Sequence, residues 1–269
     1  MAASDSAGSS TSASQWVTRQ RPNPQAALRL FCFPYAGGST HIYRNWAEHL
    51  PAKIEVCAVQ LPGRGNRLRE APFTRMDSLV REAAKEIAPL TDKPFAIFGH
   101  SMGAVIGFEL ARLLRREYAT EPVRLFASGR IAPQISRDDK QTYSLPEQEF
   151  IAELRRLNGT PKEVLEHPEL MQVMTPVLRA DFEVTQTYEY RSEPPLGCPI
   201  SAMGGLRDTD VPREDLQAWR EQTTGAFSLR MFPGGHFFIN TDGALLLQAV
   251  ARELYQSGVL GEASRNYAG

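Results

Sequence analysis

A serine stands between two glycines in Gly99-His100-Ser101-Met102-Gly103, after a short apolar run and before a segment with helical spacing. In a sharp strand-to-helix turn, the glycines remove side chains that would clash with a strained serine backbone. Such a turn holds the hydroxyl at the end of a sheet, beside a helix N-terminus that favours negative charge. We therefore interpret Ser101 as a nucleophile. The alternative is a glycine-rich loop with an incidental serine.

A serine nucleophile needs a base within hydrogen-bond reach, and that base needs a carboxylate to orient it. Of the five histidines, only His236 follows a late predicted strand, in Phe232-Pro233-Gly234-Gly235-His236. The two glycines let this loop bring an imidazole over the sheet edge. His236 is therefore the predicted base, against a surface or capping histidine. The other four fit less well, because they precede the serine (His41, His49), adjoin it (His100, which should point elsewhere) or precede a proline at a helix start (His167).

The carboxylate is expected after a strand between the serine and the histidine, since that is the chain order for this kind of turn. Two aspartates follow the fifth predicted strand, Asp208 and Asp210. Asp208 lies closer to the strand end, whereas Asp210 precedes a predicted helix and could cap it. We predict Asp208 as the acid. Asp138 and Asp139 are weaker candidates, because no carboxylate directly follows the fourth predicted strand.

A developing oxyanion needs two backbone N–H donors. One is expected from Met102, the residue after the nucleophile. The other is expected from the loop after the first predicted strand, 33–38, where the N–H of Ala36 is our choice. Gly37 and Gly38 in that loop could instead form only a turn.

Strand-like and helix-like segments alternate along most of the chain, which implies parallel strands joined by right-handed crossovers. The sequence therefore predicts an α/β fold with a mostly parallel central sheet flanked by helices, built from residues 25–130 and 196–260. The predicted strands are 27–33, 54–60, 95–98, 123–127, 199–203 and 227–232, and the predicted helices are 41–50, 76–90, 102–118, one near 213–221, and 244–255.

Residues 131–195 break this alternation and contain no convincing strand. Helix starts are indicated near Ser144-Leu145-Pro146, Thr160-Pro161 and His167-Pro168, with Pro176 kinking or restarting the third helix. A helical insertion between two strands predicts a lid over the site, because ligands bind beyond the carboxyl ends of the strands. Packing bulk is the alternative. Apolar lid residues that would partly close an acyl pocket are Phe150, Leu154, Leu157, Leu170, Met171, Met174, Leu178 and Phe182.

The composition excludes some functions. The chain has 269 residues, 42% of them hydrophobic, and a net charge of −1, which gives no support for nucleic-acid binding. No apolar stretch is long enough to cross a bilayer. Residues 1–24 are rich in Ser, Ala and Thr without an apolar core, so we expect a disordered tail and no secretory signal; 261–269 are expected to be a flexible tail. Three cysteines expected in strands, without metal-ligand spacing, favour free buried thiols, no metal and the cytoplasm: Cys32, Cys57 and Cys198.

Five motifs in this order carry a family resemblance: residues 33–39 (FPYAGGS), 61–64 (LPGR), 99–104 (GHSMGA), Gly204-Gly205 with Asp208, and 233–238 (PGGHFF). They resemble the type II thioesterases, α/β-hydrolase enzymes encoded beside modular polyketide and nonribosomal peptide synthases. The resemblance covers residues 27 to 256. It implies the α/β-hydrolase fold and an acyl group on the phosphopantetheine arm of an acyl or peptidyl carrier domain as substrate. It also implies removal of stalled or wrong acyl units, without metal or cofactor.

Arg64, Arg67 and Arg69 lie in the loop after the second predicted strand. The family often carries Pro-Gly-Arg with a further arginine nearby, which Arg64 and Arg67 resemble. A phosphate or an acidic carrier domain would suit these side chains. The alternative is a solvated loop in which arginines pair with Glu70.

Other functions remain open at this point. A medium-chain fatty acyl thioesterase or a carboxylesterase would use the same Ser101, Asp208 and His236, and would differ in pocket depth. A non-catalytic scaffold is disfavoured by that intact set. We expect a monomer that binds neither nucleic acid nor membrane.

Overall fold

Seven strands form a single sheet in the part of the chain that the structure describes. The structure is a computed structural model and describes residues 15–136, 141–157, 159 and 162–261. The strands are β1 (Val17–Thr18), β2 (Leu28–Phe33), β3 (Ile54–Val59), β4 (Phe95–His100), β5 (Arg124–Ser128), β6 (Ile200–Gly205) and β7 (Phe227–Phe232).

The sheet is parallel except at one edge. Its strand order is β1-β3-β2-β4-β5-β6-β7, and only β1 pairs antiparallel with its neighbour. Strands β2 to β6 are buried along their whole length, as their apolar composition requires in a sheet covered on both faces. Because parallel strands end on the same side, the loops after β2, β4, β6 and β7 meet at one edge of the sheet.

Helices cover both faces of the sheet. The core on one face includes α2, α3 and α7, and the core on the other includes α1, α8 and α9. The predicted α/β fold is confirmed. The helices are α1 (Trp46–His49), α2 (Met76–Ile87), α3 (Met102–Tyr118), α4 (Glu147–Leu157), α5 (Lys162–Leu165), α6 (Pro168–Gln186), α7 (Arg213–Gln217), α8 (Phe238–Thr241) and α9 (Gly243–Gln256).

The prediction of a single helix over 41–50 is wrong. The structure has a 3₁₀ turn, Thr40–Tyr43, followed by the short α1. Tyr43 and Trp46 are both buried and touch edge to face, with ring centroids 4.9 Å apart. Their three-residue spacing suits a tight turn, and the Tyr43 hydroxyl also donates to the carbonyl of Phe33 at 2.6 Å.

Part of the predicted N-terminal tail is ordered, so that prediction is wrong for residues 15–24. Trp16 is only 7% exposed, and β1 extends the sheet by pairing with Val59 and Ala58. The Arg67 guanidinium lies 4.4 Å from the centre of the Trp16 ring. A large aromatic side chain therefore anchors a segment whose polar composition suggested disorder.

The segment predicted as a helical insertion contains α4, α5 and α6 in its described residues. Pro176 lies inside α6, which continues through it. These helices share an apolar cluster of their own, formed by Phe150, Leu154, Leu165, Met171 and Leu178. The alternative acids Asp138 and Asp139 lie outside the described residues.

All three cysteines are buried free thiols. Cys32 and Cys57 lie in β2 and β3, whereas Cys198 lies just before β6 rather than in it. Burial raises the pKa of Cys57 and of Cys198 to about 12. Among the helices that the structure describes, none combines the length and apolarity of a membrane span.

Candidate active site

Ser101 occupies a strained turn between β4 and α3. Its backbone has φ 54° and ψ −115°, a conformation that non-glycine residues rarely adopt. A Cβ atom on Gly99 would lie 2.0 Å from the Gly103 carbonyl oxygen, and one on Gly103 would lie 2.2 Å from that of Phe33. The two glycines are therefore required by close packing of the backbone around the turn.

Three side chains form a continuous hydrogen-bonded chain at this edge of the sheet. His236 Nε2 lies 3.1 Å from Ser101 Oγ, and His236 Nδ1 lies 2.7 Å from Asp208 Oδ2. The Asp208 carboxylate is 1% exposed, and its other oxygen accepts the Asp210 N–H at 3.0 Å. A buried carboxylate on Nδ1 favours the tautomer whose Nε2 can accept the serine proton.

The loops that carry Asp208 and His236 are joined by their backbones. The Arg207 N–H donates to the Gly234 carbonyl at 3.0 Å, and the Leu206 N–H donates to the Phe232 carbonyl at 2.7 Å. A Cβ atom on Gly205 would lie 2.3 Å from the Gly235 carbonyl oxygen. The Gly204-Gly205 motif therefore permits the close approach that brings Asp208 and His236 together.

His100 takes part in the site indirectly, which the sequence reasoning missed. It points away from the Ser101 hydroxyl, as expected, but its Nε2 lies 2.9 Å from the backbone carbonyl of His236. Its Nδ1 lies 2.9 Å from Ser128 Oγ. Burial first, and the neighbouring His236 second, hold the pKa of His100 well below its usual value. A neutral His100 can donate from Nε2 and so support the His236 loop.

The two residues predicted to supply oxyanion donors both line the pocket in front of Ser101. Met102 is the first residue of α3, where an N–H has no acceptor inside the helix. Ala36 lies in the loop after β2, and within the described residues its N–H makes no hydrogen bond to the protein. Both N–H groups are thus available to a ligand.

A pocket of about 280 Å³ opens above Ser101 and His236, between the sheet edge and the helices of 131–195. Four of the eight apolar residues predicted to close an acyl pocket line it, while Phe150 and Met171 pack between the helices and Leu170 is exposed. Polar groups line it too. The four lining residues are Leu154, Leu157, Leu178 and Phe182, and the polar side chains include Thr142, Thr185 and Gln186.

Arg64 and Arg67 do not reach the pocket, and both are buried. Arg64 forms a two-pronged ion pair with Asp181 of α6, at 2.6 and 2.7 Å. Arg67 pairs with Glu70 at 2.8 Å and stacks on Trp16. Intramolecular partners thus occupy both guanidinium groups, and this geometry does not support the predicted contact with a phosphate or a carrier.

The remaining candidates lie apart from the serine. Asp210 does not cap α7, whose N-cap is Pro212; it is half exposed at the pocket rim, 3.5 Å from Arg156. His41, His49 and His167 are exposed on other elements. No cluster of three or more His, Cys, Asp or Glu side chains suited to a metal ion occurs in the described part of the chain.

Comparison with known proteins agrees with this geometry. A model of the thioesterase domain matches residues 28–257. The gramicidin S biosynthesis protein GrsT of Aneurinibacillus migulanus is 47% identical over 240 residues, covering 89% of this chain and 94% of GrsT. The structure of the type II thioesterase BorB from the borrelidin biosynthetic cluster superposes with a TM-score of 0.83 at 37% identity, covering 91% of this chain and 99% of BorB. The RedJ thioesterase of the prodiginine pathway in Streptomyces coelicolor has a TM-score of 0.80 at 39% identity, covering 85% and 86%. The resemblance to type II thioesterases is confirmed, and the chain belongs to the thioesterase family.

Proposed function

We propose that this thioesterase removes acyl groups from the phosphopantetheine arm of carrier domains, through an acyl intermediate on Ser101. The observation that carries the proposal is the chain of hydrogen bonds from Asp208 through His236 to Ser101, together with the pocket that Ser101 and His236 line. The similarity to GrsT, RedJ and BorB, proteins named for biosynthetic pathways or clusters, supports the carrier-bound substrate.

In the first half-reaction, Ser101 Oγ attacks the thioester carbonyl carbon while His236 Nε2 takes the hydroxyl proton. Asp208 stabilises the imidazolium that forms. The N–H groups of Ala36 and Met102 receive the developing oxyanion. The C–S bond then breaks, and the thiol of the arm leaves with the proton from His236.

In the second half-reaction, water replaces the thiol. His236 removes a proton from the water as it attacks the acyl carbon on Ser101, and returns that proton to Ser101 Oγ as the acid leaves. No step requires a metal or an organic cofactor. The pocket volume of about 280 Å³ is at the small end for ligand sites, which supports short acyl groups over long ones.

We infer that the chain acts as a monomer in the cytoplasm, with acyl or peptidyl carrier domains as transient partners. Three free buried thiols support a reducing compartment. Light scattering after size exclusion tests the oligomeric state, and a stable dimer would contradict it.

The decisive experiment is a competition among carrier domains loaded with propionyl, hexanoyl or decanoyl groups, followed by mass spectrometry of each arm. We expect the propionyl carrier to be unloaded fastest. Preference for the decanoyl carrier would favour a medium-chain fatty acyl thioesterase. Faster hydrolysis of matched oxygen esters than of thioesters would favour a carboxylesterase.

The Ser101→Ala variant is expected to lose turnover by at least about 10³-fold, because no other group supplies the nucleophile. It should still bind an acyl carrier, since binding does not need the hydroxyl. Fluorophosphonate labelling provides the control: the wild type should be labelled at Ser101 and the variant should not. A folded wild-type sample that resists labelling would favour a non-catalytic scaffold.

A further inference from the structure

A buried ion pair joins helix α6 to the loop that follows β3. Arg64 and Asp181 have side chains only 5% and 4% exposed, and both terminal guanidinium nitrogens contact the carboxylate. The Arg64 side chain of the LPGR motif, which the sequence suggested as a ligand contact, therefore points into the protein. Since burying two charges is costly, an ion pair at this place suggests a role beyond filling space.

The Asp181 carboxylate has a further partner, Gly37, in the loop that follows β2. Oδ2 accepts the Gly37 N–H at 2.7 Å as well as the Arg64 Nη1 hydrogen at 2.6 Å. Arg64 Nη1 also lies 3.3 Å from the Gly38 carbonyl oxygen. A hydrogen bond to an ionised acceptor is short and strong, so this carboxylate fixes the orientation of a peptide group.

Helix α6 also constrains the loop by packing. Gly37 adopts φ +74°, and a Cβ atom there would lie 2.5 Å from Leu178 Cδ2, one helical turn before Asp181. Leu178 itself lines the pocket. The same face of α6 thus contacts Gly37, the residue after Ala36, through the charged Asp181 and through the apolar Leu178.

We propose that Asp181 is a positioning residue that sets the Ala36 N–H for the oxyanion, with Arg64 as its counterion. Asp181 touches no reacting atom. It holds Gly37, and because adjacent peptide groups share the Ala36 Cα, it limits how the Ala36 N–H can turn. This inference rests on the proposed acyl-Ser101 chemistry and assigns to the helical insertion a part in transition-state stabilisation.

The test compares Asp181→Asn with Glu253→Gln, a matched control. Glu253 forms a second buried pair, with Arg124 at 3.0 Å and side chains 5% and 8% exposed, but it contacts no loop of the active site. Both substitutions leave a buried arginine without its charge partner. We expect Asp181→Asn to lower kcat for a propionyl thioester by about 10- to 100-fold, with KM changed less than about threefold. Glu253→Gln should keep kcat within about twofold.

A second readout reports on the oxyanion directly. An alkylboronic acid forms a tetrahedral adduct with an active serine, and its inhibition constant should rise in Asp181→Asn by the same factor as kcat falls. If Asp181→Asn does not fold, the double variant Arg64→Gln/Asp181→Asn, which removes both charges, takes its place under the same criteria.

Equal boronate inhibition of the wild type and the folded Asp181 variant would overturn the positioning role. An equal loss of kcat in Glu253→Gln would do so too, because the effect would then be general destabilisation. A wild type that binds no boronate would instead refute the proposed function itself.

Discussion

Asp208 and Asp210 lie two residues apart, but only Asp208 is buried against His236, while Asp210 is exposed beside Arg156. We expect Asp208→Asn to lower kcat/KM by about 10³- to 10⁴-fold, because an amide at this place stabilises the wrong tautomer of the imidazole. Asp210→Asn should cost less than about fivefold. Steady-state kinetics on one acyl thioester checks both. The reverse order would show that the acid is misassigned.

His100 should make stability depend on pH in a defined direction. Its lowered pKa means that the folded protein holds it neutral, while the unfolded chain protonates it below its usual pKa of 6.5. Its contribution to stability is therefore present above about pH 6.5 and is lost as the pH falls below it.

His100→Gln should flatten that acid-side slope by up to about 1.4 kcal/mol per pH unit. Urea unfolding between about pH 5 and about pH 8 measures it, with the exposed His41→Gln as the control. An unchanged slope in His100→Gln would mean that the buried imidazole takes up a proton without unfolding.

At the scale of elements, we expect the helices of 131–195 to determine how far an acyl chain can extend. Phe182 lines the pocket from α6 and packs edge to face on Phe150. Phe182→Ala should enlarge the pocket and raise the decanoyl-to-propionyl ratio of kcat/KM by about tenfold, because longer chains gain apolar contact.

Leu170→Ala is the matched control, since Leu170 belongs to the same helix but is 46% exposed and does not line the pocket. It should leave the ratio unchanged. If both variants or neither shifted the ratio, the pocket would not be the determinant of chain length.

Elements were predictable where the sequence pattern is long and regular. Strand β7 has the predicted bounds, as does α3, because each combines continuous periodicity with a clear turn signal. The two-residue β1 was missed, since a strand that short has no period of its own. Trp16 holds β1 in place by packing on Arg67 and the core, a contact that the local sequence does not indicate.

At the scale of the whole molecule, the fold buries all three cysteine thiols away from reagents in solution. Cys57 and Cys198 have a pKa raised to about 12, and Cys32 is fully buried. We expect iodoacetamide at about pH 8 to leave the native protein unmodified and to label all three cysteines in urea, because the thiolate is the reactive form. Intact-mass spectrometry counts the additions. Rapid labelling of the native protein would indicate local opening of the structure around the labelled cysteine.

In the active site, too, the local sequence predicted some features, whereas contacts between residues far apart in the chain could not be predicted. The sequence order predicted which serine, aspartate and histidine to consider, because glycine-rich loops after strands mark the sheet edge. It did not predict that His100 supports the His236 backbone across 136 residues, or that Arg64 reaches Asp181 across 117. The sequence does not distinguish a buried arginine from a solvated one, and only the packing in the structure does.

The backbone conformation of Ser101 has a cost in stability. A left-handed, strained conformation costs a residue with a Cβ on the order of 1–3 kcal/mol, a penalty that glycine escapes. For the local backbone conformation alone, glycine would therefore be the less strained residue at this position. An alcohol at this position therefore gives up some stability of the fold in exchange for a reactive group.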